Sequence, residues 1–193
     1  MTFVERLGVA AATAFVVAFV GCGDHGLCLP GVTVNLDISE QTIPGFAPSS
    51  VQGSCAVNAT GSGALSTDSF QPVSLSIKDS QELRGRSILR FTRVEVDEVR
   101  LTIIPPSQSG QTWDFLDSIE LFADVPGDNQ PPVLVAKLDP VPRGQTTIVI
   151  NGTGADISDI ASHDTFEVTG QVSGRPPCAD VHFDGKAKFD VGL

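Results

Sequence analysis

The chain has no tyrosine, one tryptophan, one methionine and three histidines among 193 residues. It is also short of charge, at 18%, and especially of basic charge, with 12 Lys and Arg against 23 Asp and Glu. Each shortage removes a class of answer. Without Tyr and with one Trp there is no multi-ring platform for stacking an oligosaccharide. Three His leave few general bases for hydrolytic work. A net charge of −11 repels phosphate backbones and anionic lipid surfaces, so nucleic acid is not an expected partner. Low charge density with 41% apolar residues is the composition of a packed domain, not of a disordered tail. Helix-forming Ala-Leu-Glu-Lys blocks are scarce, while 19 Gly and 13 Pro point to strands and turns.

Several catalytic signatures are missing as well. No GxSxG, HExxH or Walker loop occurs. Gly152-Thr153-Gly154 follows a strand pattern, but Ile157 occupies the third glycine position of a dinucleotide loop. There is no CxxC, and no Cys/His spacing suits a structural zinc site.

What is present begins at the amino terminus. Residues 7–21 (LGVAAATAFVVAFVG) are uncharged, with Arg6 as a positive flank beside Glu5. Fifteen residues fall short of the roughly 20 needed to span a bilayer, but suit the apolar region of a secretory signal. Phe19-Val20-Gly21-Cys22 follows. This segment resembles the lipobox of bacterial lipoproteins, in which a small residue precedes a Cys that receives a diacylglyceryl group. The usual Leu three positions before the Cys is Phe19 here. The resemblance covers residues 1–22. It implies a signal peptide over 1–21, palmitate-type acylation of Cys22 and a membrane partner reached through that anchor. Gly23, in place of the Asp that retains some lipoproteins at the inner membrane, implies the outer membrane. Several acyl chains on one Cys give stable anchoring, because one chain alone is marginal. Cleavage removes Arg6 and Glu5, so 11 basic and 22 acidic residues remain and the net charge stays −11.

An exported chain meets an oxidising compartment, where thiols pair. With Cys22 acylated, Cys28, Cys55 and Cys178 remain, which predicts one disulfide and one buried thiol. If the terminal strands lie side by side and parallel, Cys28 meets Cys178. Cys55 is the alternative partner for either, and all three pairings stay open.

Beyond a tether at 22–30, residues 31–193 read as strands. Val32, Val34, Leu36 and Ile38 alternate with polar residues, and Val73, Leu75 and Ile77 do so again. In 90–104 the apolar phase slips by one across Asp97-Glu98, which predicts a β-bulge. Further strands are expected at 119–123, 133–138, 146–150 and 166–172, with a short helix or crossover at 155–161. From Asp180 to Val191 the alternation is strict: Val181, Phe183, Gly185, Ala187, Phe189 and Val191 share one face. A Gly/Ser-rich loop fills about 44–69. Eight or so strands without a βαβ rhythm predict an antiparallel β-sandwich.

The candidate chemistry is sparse. Asp124 and Asp128 lie in one Pro/Gly loop, while Asp156 and Asp159 lie in another with Asp164. Such loops hold calcium in sandwiches, yet the same residue types serve turns. Asp180, His182 and Asp184 share a strand face that Lys186 and Lys188 continue, as on a solvated surface. Trp113 offers at most a single-ring sugar site. Arg84, Arg86, Arg90, Arg93 and Arg100 interleave with acids, as on a salt-bridged strand face.

The expectation is therefore a lipid-anchored protein of the bacterial cell envelope, without enzymatic activity or cofactor. Its role is binding, assembly or structure, with an envelope protein or glycan as partner. A calcium- or carbohydrate-binding module on the same fold is the alternative, and a carboxylate-based hydrolase ranks below it.

Overall fold

A computed structural model describes residues 31–65, 70–83 and 91–192. It contains eight strands: β1 (Val32–Ile43), β2 (Val73–Leu75), β3 (Arg93–Ile103), β4 (Leu116–Asp124), β5 (Val133–Leu138), β6 (Thr147–Gly152), β7 (Phe166–Gly174) and β8 (Val181–Gly192). One turn of helix, α1 (Ser158–Ala161), follows β6 within the 155–161 stretch where the sequence predicts a short helix or crossover. No helix among the described residues is long and apolar enough to cross a membrane.

The eight strands are not divided between two sheets. They form one antiparallel sheet in the order β1-β8-β3-β6-β5-β4-β7-β2, and it wraps 302° about an axis into a nearly closed barrel. The predicted sandwich is thus corrected to a barrel. Alternation tells which face of a strand is dry, but both architectures bury one face of every strand. What separates them is whether the ladder is interrupted, and here each strand pairs with the next. Bulges supply the curvature. Register shifts fall between Val96 and Glu98 of β3, as the phase slip predicts, and between Leu121 and Phe122 of β4. Gly152 lies against the β3 bulge, where an added Cβ would come within 1.7 Å of the Val96 carbonyl oxygen.

The core fills the barrel. Val181, Phe183, Ala187, Phe189 and Val191 of β8 point inward and are buried, while Asp184, Lys186 and Asp190 face water. This apolar-in, charged-out pattern is the reverse of a barrel that spans lipid. Trp113 is completely buried; its ring packs 5.4 Å from Phe183 and its Nε1 donates to the Thr146 carbonyl.

β1 and β8 run antiparallel, so Ile43 lies beside Val181 at one end and Val32 beside Val191 at the other. Two ends result. The end at which residue 31 enters β1, called the tether end after the expected tether at 22–30, carries the β4–β5 and β6–β7 connections. The far end carries 44–65, 104–115 and 175–180.

Candidate functional site

At the far end the chain after β1 folds back over the β7–β8 connection. Phe46 and Ala47 donate backbone N–H groups to the carbonyls of Pro177 and Cys178, and Cys178 N–H donates to Ala59 O at 2.8 Å. A disulfide joins Cys55 to Cys178, with Cα atoms 5.9 Å apart. Of the three pairings open in the sequence this is the one formed. The antiparallel β1/β8 pair brings the chain after Ile43 to Cys178, whereas residue 31 lies at the opposite end. Cys22 and Cys28 lie outside the described residues.

Side chains complete the clamp. Asp180 Oδ1 accepts from Gly45 N–H at 2.7 Å and from Gln52 Nε2 at 2.9 Å. Gln108 Nε2 donates to the carbonyls of Gln52 and Cys55, both at 3.1 Å. Asn58, at φ 61°, accepts from Thr112 N–H. Around this scaffold Phe46, Val51 and Val57 stand 54%, 48% and 47% exposed. Residues 41–65 contain no charged side chain. Burying apolar groups of this run desolvates no charged group of the run itself. The alternation patterns do not reach these three residues; their one signal in the sequence is the long charge-free run.

At the tether end the two acidic loops meet. Asp124, Asp128, Asp156, Asp159 and His163 line one cleft of about 480 Å³ that no Lys or Arg enters. Its carboxylates are largely engaged with backbone. Asp124 accepts from Val125 N–H, Asp128 from Gln130 N–H, and Asp156 from Val94 N–H at 3.0 Å and Ser158 N–H at 2.9 Å. For Asp156, burial works to raise its pKa, but these hydrogen bonds, with the Arg93 charge, outweigh it and hold it below the ordinary aspartate value. Among the described residues no group of three or more His, Cys, Asp or Glu is placed to hold a metal ion. The candidate calcium residues thus share a cleft without converging on a point.

The other candidates do not come together. Asp180 is committed to the clamp. His182 Nδ1 lies 3.1 Å from both Thr42 Oγ1 and Glu40 Oε1. Asp184 lines a separate shallow groove with Asp37, Arg100 and Lys186. Trp113, being buried, presents no ring face to a sugar. Arg93 and Arg100 pair with Glu95 and Glu98 as expected, while Arg84, Arg86 and Arg90 lie outside the described residues.

Inside the barrel is a cavity of about 40 Å³ with a nearly all-apolar lining. By cavity-volume scaling it costs about 1 kcal/mol relative to a filled core. It reaches the unclosed side of the barrel between β1 and β2, and no sequence pattern announces it. No family model matches this chain, and no curated protein matches it.

Proposed function

We propose that the chain is an exported, lipid-anchored domain of the bacterial cell envelope, tethered through Cys22 to the outer membrane. Its role is binding, assembly or structure, without catalysis. The observation that carries this reading is the Cys55–Cys178 disulfide. Disulfides persist in oxidising compartments, and this one holds a charge-free apolar cap in fixed shape. The amino-terminal segment supplies the address, and the disulfide supports it independently.

The geometry gives the reading a direction. Residues 22–30 reach at most about 30 Å when extended. The tether joins the barrel at its acidic end, so that end is the nearer to the bilayer, held off its anionic surface by repulsion within the reach of the tether, and the cap is the farther from it. An envelope protein that meets this domain does so at Phe46, Val51 and Val57.

The test is biochemical. Expressed with its leader in a bacterium, the protein partitions into the detergent phase and carries an acylated amino-terminal Cys22 by intact mass. Cys22→Ser moves it to the aqueous phase. Wild-type protein found aqueous, with an unmodified Cys22, rejects the anchor.

A further inference from the structure

Among the described residues the barrel stops at 302°, and the side they leave open leads into its interior. There the cavity of about 40 Å³ is lined by residues from seven of the eight strands, and its polar side chains are Gln41 and Gln71. Gln71 is exposed and Gln41 half-exposed, so both mark the mouth. Phe70 stands between mouth and cavity. It is half-buried, lies 5.2 Å from Phe183 ring to ring, and packs on Gly170, whose missing side chain makes room for it. Deeper in, Ala187 keeps the lumen from filling.

We propose that this lumen binds the end of an unbranched, uncharged alkyl chain, admitted past Phe70. Three properties select that ligand. The lining is apolar, and apolar cavities of this kind stay dry and take apolar guests. The volume is small, so a slim chain end fits where a ring does not. No charged side chain lines the cavity, and the protein carries −11, so an anionic head at the mouth is repelled while a hydroxyl or ester can meet Gln41 and Gln71. The inference names a ligand class for the binding role proposed above and does not require the anchor.

The single tryptophan provides the readout, since Trp113 packs against Phe183, which lines the lumen. The full chain carrying Cys22→Ser, so that it has no acyl chain of its own, is titrated with 8-bromo-1-octanol in detergent-free buffer. Saturable quenching of Trp113 is expected. Octanol and 1-monooctanoylglycerol should both displace the probe, and octanoate should compete at least tenfold less well. Ala187→Leu, which fills the lumen, should weaken binding at least tenfold; if that variant does not fold, Val168→Leu at the rim of the same cavity replaces it. Quenching that rises linearly without saturation overturns the proposal. So does equal affinity in the filled variant, and octanoate competing as well as octanol overturns the requirement for an uncharged head. Loss of Cys22 acylation in the envelope experiment would leave this result untouched.

Discussion

The two ends of the barrel solve opposite problems. At the tether end, Asp124, Asp128 and Asp156 spend carboxylate oxygens on backbone N–H groups of their own or neighbouring segments, and no Lys or Arg lines the cleft between them. At the far end a run of 25 uncharged residues, 41–65, is fixed by a disulfide and by side chains that reach backbone. The −11 charge is therefore distributed unevenly. One end is hydrated and repels anionic surfaces, and at the other the run 41–65 can be covered without desolvating a charge of its own, with the exposed Arg175 in the neighbouring β7–β8 connection.

The largest way to break this contrast is to open the clamp. The Cys55–Cys178 bridge spans a sequence separation of 123 residues, and chain-entropy reasoning assigns such a loop about 5 kcal/mol. Reducing it, or making Cys55→Ser, should lower the urea midpoint by a corresponding amount. Hydrogen exchange should show the loss concentrated in 44–65 and 174–180. Uniform exchange across both ends would mean that the cap is not a separately stabilised unit.

A comparable effect is available beside the tether end without touching a cysteine. Gly152→Ala forces a Cβ onto the Val96 carbonyl oxygen at the β3 bulge. Backbone cannot yield as a flexible side chain does, so we expect a loss of about 3 kcal/mol, measured by thermal or urea unfolding. Here the cap's hydrogen bonds should outlast the β3–β6 pairing, the reverse of the order expected on reduction.

These two residues also show what could be read from the chain. The β8 alternation and the slip at Asp97-Glu98 were legible because period-2 patterning reports directly on which face is dry. Closure was not. It depends on each strand pairing with the next, and Gly152, which accommodates the bulge, reads in sequence as an ordinary glycine of a Gly-rich stretch. The acidic loops were legible as loops, and their meeting in one cleft was not, because β4–β5 and β6–β7 lie together only through the order of the sheet. The disulfide was legible as a set of three pairings, and strand direction chose among them.

At intermediate size, Asp156 tests the electrostatic half of the contrast. Its carboxyl titrates lower in the folded protein than unfolded, because hydrogen bonds from Val94 and Ser158 outweigh burial. A group shifted down stabilises the fold above its unfolded pKa and loses that contribution as pH falls through its folded value. Asp156→Asn should therefore flatten the decline in stability below the ordinary aspartate range. At neutral pH, Asp156→Ala should cost about 1 kcal/mol, kept small because the residue is largely exposed. A pH profile identical to that of wild type would show that this carboxylate is not coupled to folding.

The smallest effect on stability belongs to the residues given the largest role in contact. Val51 and Val57 are about half exposed on a scaffold held by other groups, so Val51→Lys with Val57→Lys should change the unfolding free energy by less than about 0.5 kcal/mol. The same pair places two charges in a run that has none, and any partner that covers the cap must then desolvate them. Cross-linking in intact cells should lose adducts formed through the far end, while a control pair at the tether end, Asp128→Asn with Asp159→Asn, should retain them. If the cap variant keeps its adducts, or if it destabilises the protein by more than 1 kcal/mol, then Val51 and Val57 belong to the packing of the clamp. The difference between the two ends would in that case be one of charge alone and not of purpose.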